Sequence, residues 1–299
     1  MKILSIGNFS NPSWDGSQPD EEHIAQALEE LGHDIIRLSR DTLEGYKENT
    51  YRADFTLIAQ WDGYPDDLLF YLPGKRVYWA FDYQADGQEW HERLVREADL
   101  YLSKRIADSK YPNWQWFRQD FAPDFLDTID QTGIEQPIDV LFTGSYLDWA
   151  HERNDTLRAV NEKFNLVVHS VNAWPEEFKD VRPPVMDDGL PELYSKAKIV
   201  LSIDHTLEAG YWSDRNAQAM CCKAYVLSRY VPLAEDVFGP GVDFFYSIED
   251  CLAKIESSLR DGMHRETVAE IGYAMATHCN RLRVSGRTYD LINVVKNIL

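Results

Sequence analysis

The feature that most constrains this chain is a repeated alternation of short strand-forming runs with stretches whose apolar residues recur at helical spacing. Residues 2–6, 34–38, 54–59, 76–81 and 100–103 are the strand candidates of the first part. Between them, Ile24, Ala27, Leu28 and Leu31 stripe a helix over 20–31, and residues 65–72 and 89–97 read as further helices. Strand, helix, strand, repeated, requires a parallel sheet covered by helices on both faces. Residues 122–137 (APDFLDTIDQTGIEQP) break the rhythm with two prolines, a glycine and many polar side chains, and read as a linker. The alternation then restarts, with strands at 138–142, 166–169, 198–203, 225–227 and 244–246. Helices are expected near 150–163, 190–196, 248–260, 263–283 and 286–298. The expected organisation is a Rossmann-like domain over 1–125, a second over 138–285, and a C-terminal helix over 286–299. Open parallel sheets bind ligands outside the carboxyl ends of their strands, so the expected site is a cleft onto which both domains open.

Composition narrows the function classes. The 299 residues carry 50 acidic and 30 basic side chains, a net charge of −20. A field of that sign repels nucleic-acid backbones and anionic membrane surfaces, although it permits a local basic pocket. No apolar run reaches the length of a bilayer span, and the opening MKILSIGNFS is too short for a secretory signal. The expectation is a soluble, cytoplasmic protein without membrane insertion. The four cysteines, Cys221, Cys222, Cys251 and Cys279, match neither zinc-ligand nor C-x-x-C spacing, and read as buried thiols. The eight histidines form no H-E-x-x-H set, so no protein-held metal is expected. Hydrolase and ATPase readings lose weight because G-x-S-x-G and Walker patterns are absent from the sequence.

Four constellations carry possible chemistry. Ser213, Asp214 and Arg215 stand at the start of an apolar helix, where unsatisfied N–H groups, the helix dipole and a forked cation suit a diphosphate. Ordinary capping by Ser213 or Asp214, with Arg215 paired to a surface carboxylate, is the alternative. Gly144 and Ser145 follow the first strand of the second domain, where a glycine lets backbone approach a ligand. A tight strand-to-helix turn explains them equally well, and Arg153 on the next helix points either back toward phosphate or into solvent. Ser13, Trp14 and Gly16 lie in a polar loop after the first strand and suit an acceptor by stacking and hydrogen bonding, or form a plain connection. Asp82, at the end of strand 76–81, is the preferred general base, with Asp15 and Asp86 behind it; a helix cap is the competing role.

Taken together, the second half resembles the donor-binding domain of GT-B glycosyltransferases, and within them the branch typified by the spore maturation protein CgeB. The resemblance is carried by LYSKAKIVL at 193–201, the Ser-x-Arg step, FGPG at 238–241, YSIEDCL at 246–252 and the Arg265-Glu266 step, over about residues 138–285. The first half is similar only in its opening strand and the EEHIAQALEELGHD stretch. The resemblance implies the GT-B fold, α/β with two Rossmann-like doubly wound parallel-sheet domains facing a cleft. It also implies metal-independent transfer of a hexosyl-type group from a UDP- or GDP-sugar, which is a co-substrate, with no further cofactor. Gly144, Ser145, Arg153, Ser213, Asp214 and Arg215 are then donor-binding, and Gln218 meets the ribose. Asp82 or Asp15 takes the acceptor proton if the enzyme inverts; no such base is needed if it retains. The acceptor is a small molecule, glycan or protein hydroxyl. Two departures stand out: Gln218 replaces a usual Glu, and Lys223 replaces a usual Gly. They leave a catalytically impaired nucleotide- or sugar-binding protein as one rival. A glycosyltransferase acting on modified DNA bases is the other.

Overall fold

The structure is a computed structural model, and it describes residues 1–9, 19–40, 43, 46–47, 51–59, 63–81, 88–118, 134–186, 189–278 and 283–299. The chain divides into two units, Met1–Gln119 together with Val284–Leu299, and Asp120–Arg283.

The first unit is built on six parallel strands: β1 (Lys2–Gly7), β2 (Asp34–Ser39), β3 (Phe55–Ala59), β4 (Lys75–Trp79), β5 (Leu100–Ser103) and β6 (Trp114–Trp116). Their order is β2-β1-β3-β4-β5-β6. β3 and β5 are buried at every position, as expected of strands covered on both faces. The covering helices are α1 (Asp20–Glu30), α2 (Leu68–Tyr71) and α3 (Glu89–Glu97). One core cluster joins Leu4, Ile6 and Ile58 of the sheet to Leu68 and Leu94 of the helices. The three-residue β6 was not legible as a strand. It is too short to show a period, and it forms only as the sheet's edge, against β5.

The second unit repeats the plan with β7 (Ile138–Thr143), β8 (Leu166–His169), β9 (Val181–Arg182), β10 (Ala197–Ser202), β11 (Val226–Arg229) and β12 (Asp243–Phe245). The order is β12-β11-β10-β7-β8-β9, all parallel. The chain runs from β7 to β8 on one side and later returns to place β10 on the other side, so the topological switch lies between β7 and β10. Helices α4 (His151–Lys163), α5 (Leu190–Ser195), α6 (Arg215–Cys221), α7 (Ala234–Phe238), α8 (Ile248–Arg260) and α9 (Gly262–His278) complete the unit. Val140, Phe142, Ile199, Leu201 and Leu227 project to one face, where they meet Leu157 and Val160 of α4 and Cys251 and Ile255 of α8. That alternation sends Thr143, Ser202 and Ser228 to the other face, toward α6. Cys221, Cys222 and Cys251 are buried thiols in no disulfide, and Cys279 lies outside the described residues.

Element boundaries differ from the sequence expectation by one or two residues at most strand ends. The helix expected over 65–72 is shorter, Leu68–Tyr71, and the one expected over 263–283 is described to His278. Most of the expected linker, 122–133, lies outside the described residues. The last helix, α10 (Val284–Lys296), buries Leu291, Ile292 and Val295 and packs on α1 within the first unit. Among the described residues no helix is long and apolar enough to cross a membrane.

Candidate functional site

Two loops leave the carboxyl ends of β7 and β10, the neighbouring strands that flank the switch point. In sheets of this kind that crevice is where ligands bind. Gly144, the first residue after β7, has φ +153°, and a Cβ built there would stand 2.9 Å from Arg215 Nη2 and 3.2 Å from the Phe142 ring. Glycine is therefore required so that the Arg215 guanidinium can close over the strand end. The Gly144 N–H donates to the His169 carbonyl at 2.9 Å. This corrects one expectation: the Gly144 amide is engaged by the sheet and does not face a ligand, and Gly144 contributes room instead. The Ser145 amide donates to none of the described residues, while its carbonyl accepts from Arg153 Nη2 at 2.7 Å.

Arg215 opens α6. The helix begins with the Asp214 carbonyl accepting the Gln218 N–H at 2.9 Å, and no side chain caps it. The capping alternative for Ser213 is thereby replaced by a different arrangement. Ser213 accepts Arg215 Nη1 on its hydroxyl at 3.2 Å and donates its backbone N–H to Asp204 Oδ1 at 2.9 Å. Arg215 Nε donates to the Thr143 carbonyl at 2.8 Å, and the guanidinium stacks over the Phe142 ring 4.7 Å from its centroid. Phe142 is thus both core and platform.

Arg153, on the first turn of α4, approaches the same ring from 5.9 Å and is only 5% exposed. Its Nε is buried without a hydrogen-bond partner. Neither arginine is in an ion pair with the described residues. Burial pushes Arg153 down to about 10, and the neighbouring Arg215 charge adds to the effect against the opposing pull of Asp204. Arg215 is lowered as well, again chiefly by burial, with Asp204 opposing. Asp204 acts on both arginines and Asp214 on Arg215 as well, each pulling against the lowering by burial. At ~4 Å in surroundings of effective dielectric ~20, each guanidinium attracts an anionic oxygen by about 4 kcal/mol. The arrangement is a partly desolvated anion site, and α6, with seven residues, adds little beyond the charge at its first position.

Gln218 lies one turn along α6 from Arg215, half-buried, and its side-chain amide makes no bond with the described residues. Lys223 has φ +57° at the end of the same helix. Lys223 N–H donates to the Met220 carbonyl and Ala224 N–H to the Ala219 carbonyl, the paired bonds of a left-handed helix stop. That geometry favours glycine, so the lysine here is held in a conformation that strains it. The Lys223 ammonium pairs with Glu270 of α9 at 2.5 Å. Asp82, Asp15, Ser13, Trp14 and Gly16 lie outside the described residues, as does Asp86. Among the described residues no three His, Cys, Asp or Glu side chains cluster as a metal set.

Sequence reasoning missed Asp204 and the aromatic residues beside it. Trp149 is 57% exposed, its ring centroid is 5.1 Å from that of His205, and His205 in turn lies 5.0 Å from Tyr211. Asp204 follows the carboxyl end of β10 by two residues, so inspecting every strand end for carboxylates would have found it.

Residues 152–286 match the model of the family described as "Glycosyl transferase-like". No curated protein matches the chain in sequence. Among solved structures, sucrose-phosphate synthase from Thermosynechococcus elongatus is similar at a TM-score of 0.69 and 9% identity, over 100% of this chain and 99% of that one. Anabaena Alr3699/HepE in complex with UDP and glucose is similar at 0.68 and 12%, over 99% of this chain and 100% of that one. An α-glucosyltransferase in complex with UDP and a 13-mer DNA is similar at 0.71 and 12%, over 99% of each chain. These likenesses, with the two six-stranded parallel sheets, establish the fold as the two-domain α/β GT-B fold.

Proposed function

We propose that the protein is a glycosyltransferase that moves a hexosyl-type group from a UDP-sugar to an acceptor hydroxyl. One observation carries the reading: Arg153 and Arg215, in no ion pair with the described residues, converge on the Phe142 ring beside the switch point, and both lie in the segment 152–286 that matches a glycosyl transferase-like family. UDP is favoured over GDP because UDP is the nucleotide named with the similar structures. The finer likeness to the CgeB-type branch and a cytoplasmic location belong to the same reading.

In the reaction the bond between the anomeric carbon and the β-phosphate oxygen breaks, and the acceptor oxygen forms the new bond to that carbon. Negative charge grows on the departing diphosphate. Arg153 and Arg215, with the Ser145 amide and the Ser213 hydroxyl, are placed to stabilise that charge, and they do so by fixed dipoles and cations without a protein-held metal. Gln218 donates to or accepts from a ribose hydroxyl. The acceptor proton passes to Asp82 or Asp15 in an inverting reaction, and Ser13, Trp14 and Gly16 hold the acceptor. In a retaining reaction the donor phosphate takes the proton.

The rival reading of an impaired binding protein loses one of its two supports, since Lys223 extends toward Glu270 on α9. Transfer to modified DNA bases is the second reading, favoured by the likeness to the DNA-bound α-glucosyltransferase and opposed by the net charge of −20. Titration calorimetry with UDP, GDP, TDP and CDP, with Arg215→Ala as control, tests the proposal. Micromolar UDP binding that is lost in the variant supports it. Failure to bind any of the four nucleotides would overturn it.

A further inference from the structure

We propose that Trp149 and Asp204 form a glycosyl subsite that takes the pyranose ring carried by the donor diphosphate. The inference rests on the donor reading above and adds to it the residues that recognise the sugar.

Trp149 is 57% exposed, and it is held in a fixed place. The turn that carries Trp149 is pinned at both ends. Ala150 N–H donates to the Leu147 carbonyl at 3.0 Å, and Asn154 Nδ2 donates to the same carbonyl at 2.8 Å. The indole meets His205 edge to face at an interplanar angle of 76°, and His205 meets the buried Tyr211 at 63°. The result is a supported aromatic shelf, four residues before Arg153 in the chain. Asp204, next to His205 in the chain, accepts the Ser213 N–H, and the Ser213 hydroxyl accepts from Arg215, so the shelf borders the arginine pair.

Asp204 supplies the second, independent observation. It is 6% exposed, and one of its oxygens accepts the Ser213 N–H. Its other oxygen makes no hydrogen bond with the described residues. A carboxylate beside two arginines works against the binding of a bare phosphate, and accepting the Ser213 N–H uses only one of its oxygens. A sugar diphosphate satisfies every group at once. Its phosphates meet the guanidiniums, its hydroxyls donate to the open oxygen of Asp204, and the apolar face of its ring lies on the indole.

The test is calorimetric titration of the wild-type protein and of Trp149→Ala, Trp149→Phe and Asp204→Asn with UDP and with UDP-glucose. Asparagine keeps the acceptor for the Ser213 amide, removes the charge and puts an NH2 donor where the open oxygen stood. Trp149→Ala is expected to weaken UDP-glucose roughly tenfold while UDP changes less than about twofold, with Trp149→Phe close to wild type. Asp204→Asn is expected to weaken UDP-glucose and to leave UDP unchanged or tighter, because a repelling charge has gone. Equal losses for both ligands in Trp149→Ala would move the indole to the nucleotide and overturn the subsite. No change for either ligand would overturn it as well. Wild-type protein that binds neither ligand defeats the donor reading itself, a result distinct from both.

Discussion

Replacing Arg153 with methionine is expected to make the protein more stable and less able to bind UDP. The folded state holds this guanidinium at a pKa of about 10, against roughly 12.5 for an ordinary arginine. At ~1.4 kcal/mol per tenfold change in proton affinity, keeping it charged costs the fold about 3 kcal/mol. The sign follows from the direction: a cation with a lowered pKa destabilises the fold at every pH below its folded value, and that cost fades only as pH rises past about 10. Methionine removes the charge and retains most of the apolar stem that packs against Phe142. It also removes the hydrogen bond from a charged donor to the Ser145 carbonyl, a loss of about 1.5–3 kcal/mol. The balance is a gain of up to about 1.5 kcal/mol, or up to about 6 °C in the melting temperature of the unit that contains it. Losing one charge-assisted contact to the diphosphate should meanwhile weaken UDP about 10- to 150-fold. Thermal melts at pH 7 and calorimetric titration read the two effects. A variant that loses more than about 1 kcal/mol of stability and binds UDP as before would refute the reasoning, because Arg153 would then be a structural residue.

Three further substitutions probe the same region. Gly144→Ala places a Cβ within 2.9 Å of Arg215 Nη2 and should displace the guanidinium, weakening UDP at least about tenfold in calorimetry with a lower melting temperature. Lys223→Gly relieves a left-handed lysine at the cost of an exposed ion pair to Glu270, so urea unfolding should show equal or up to ~1 kcal/mol higher stability, with UDP affinity within about twofold. Gln218→Glu should tighten UDP several-fold through a charge-assisted bond to ribose and leave a 2′,3′-dideoxy analogue unimproved; equal change in both would remove Gln218 from the ribose.

Much of the fold was legible because its information is local. β3 and β10 are nearly continuous apolar runs, and α3 and α8 carry helical stripes, so their period alone identifies them. β6 and β9, of three and two residues, carry no period and exist only through pairing at a sheet edge. Arg215 and Arg153 were legible as candidates, but their roles were not. Whether an arginine faces a carboxylate, solvent or another arginine depends on contacts 62 residues apart in sequence, between α4 and α6, which local patterns do not encode. The Gly144 amide shows the converse limit: the glycine was found, and its hydrogen bond to His169 made the expected use unavailable. Asp204 carries a local signal, a carboxylate just past a strand's end, but its place beside two cations is visible only in the fold.

The arrangement of charge around Phe142 is costly to the fold, and that cost is what makes it informative. A fold seeking stability alone would pair each arginine with a carboxylate or leave it in water, since a buried, uncompensated cation is among the less favourable things a core can hold. Here two cations share one aromatic platform, repel each other and form no ion pair with the described residues, although Asp204 acts on both and Asp214 on Arg215. Binding an anion relieves the repulsion and uses donors already held in place by Thr143, Ser145 and Ser213, so little further ordering is required when a ligand arrives. On the donor reading, the repulsion held in the site is returned as affinity for a diphosphate. An increase in melting temperature on adding UDP, larger in wild type than in the more stable Arg153→Met variant, is the direct expression of that exchange.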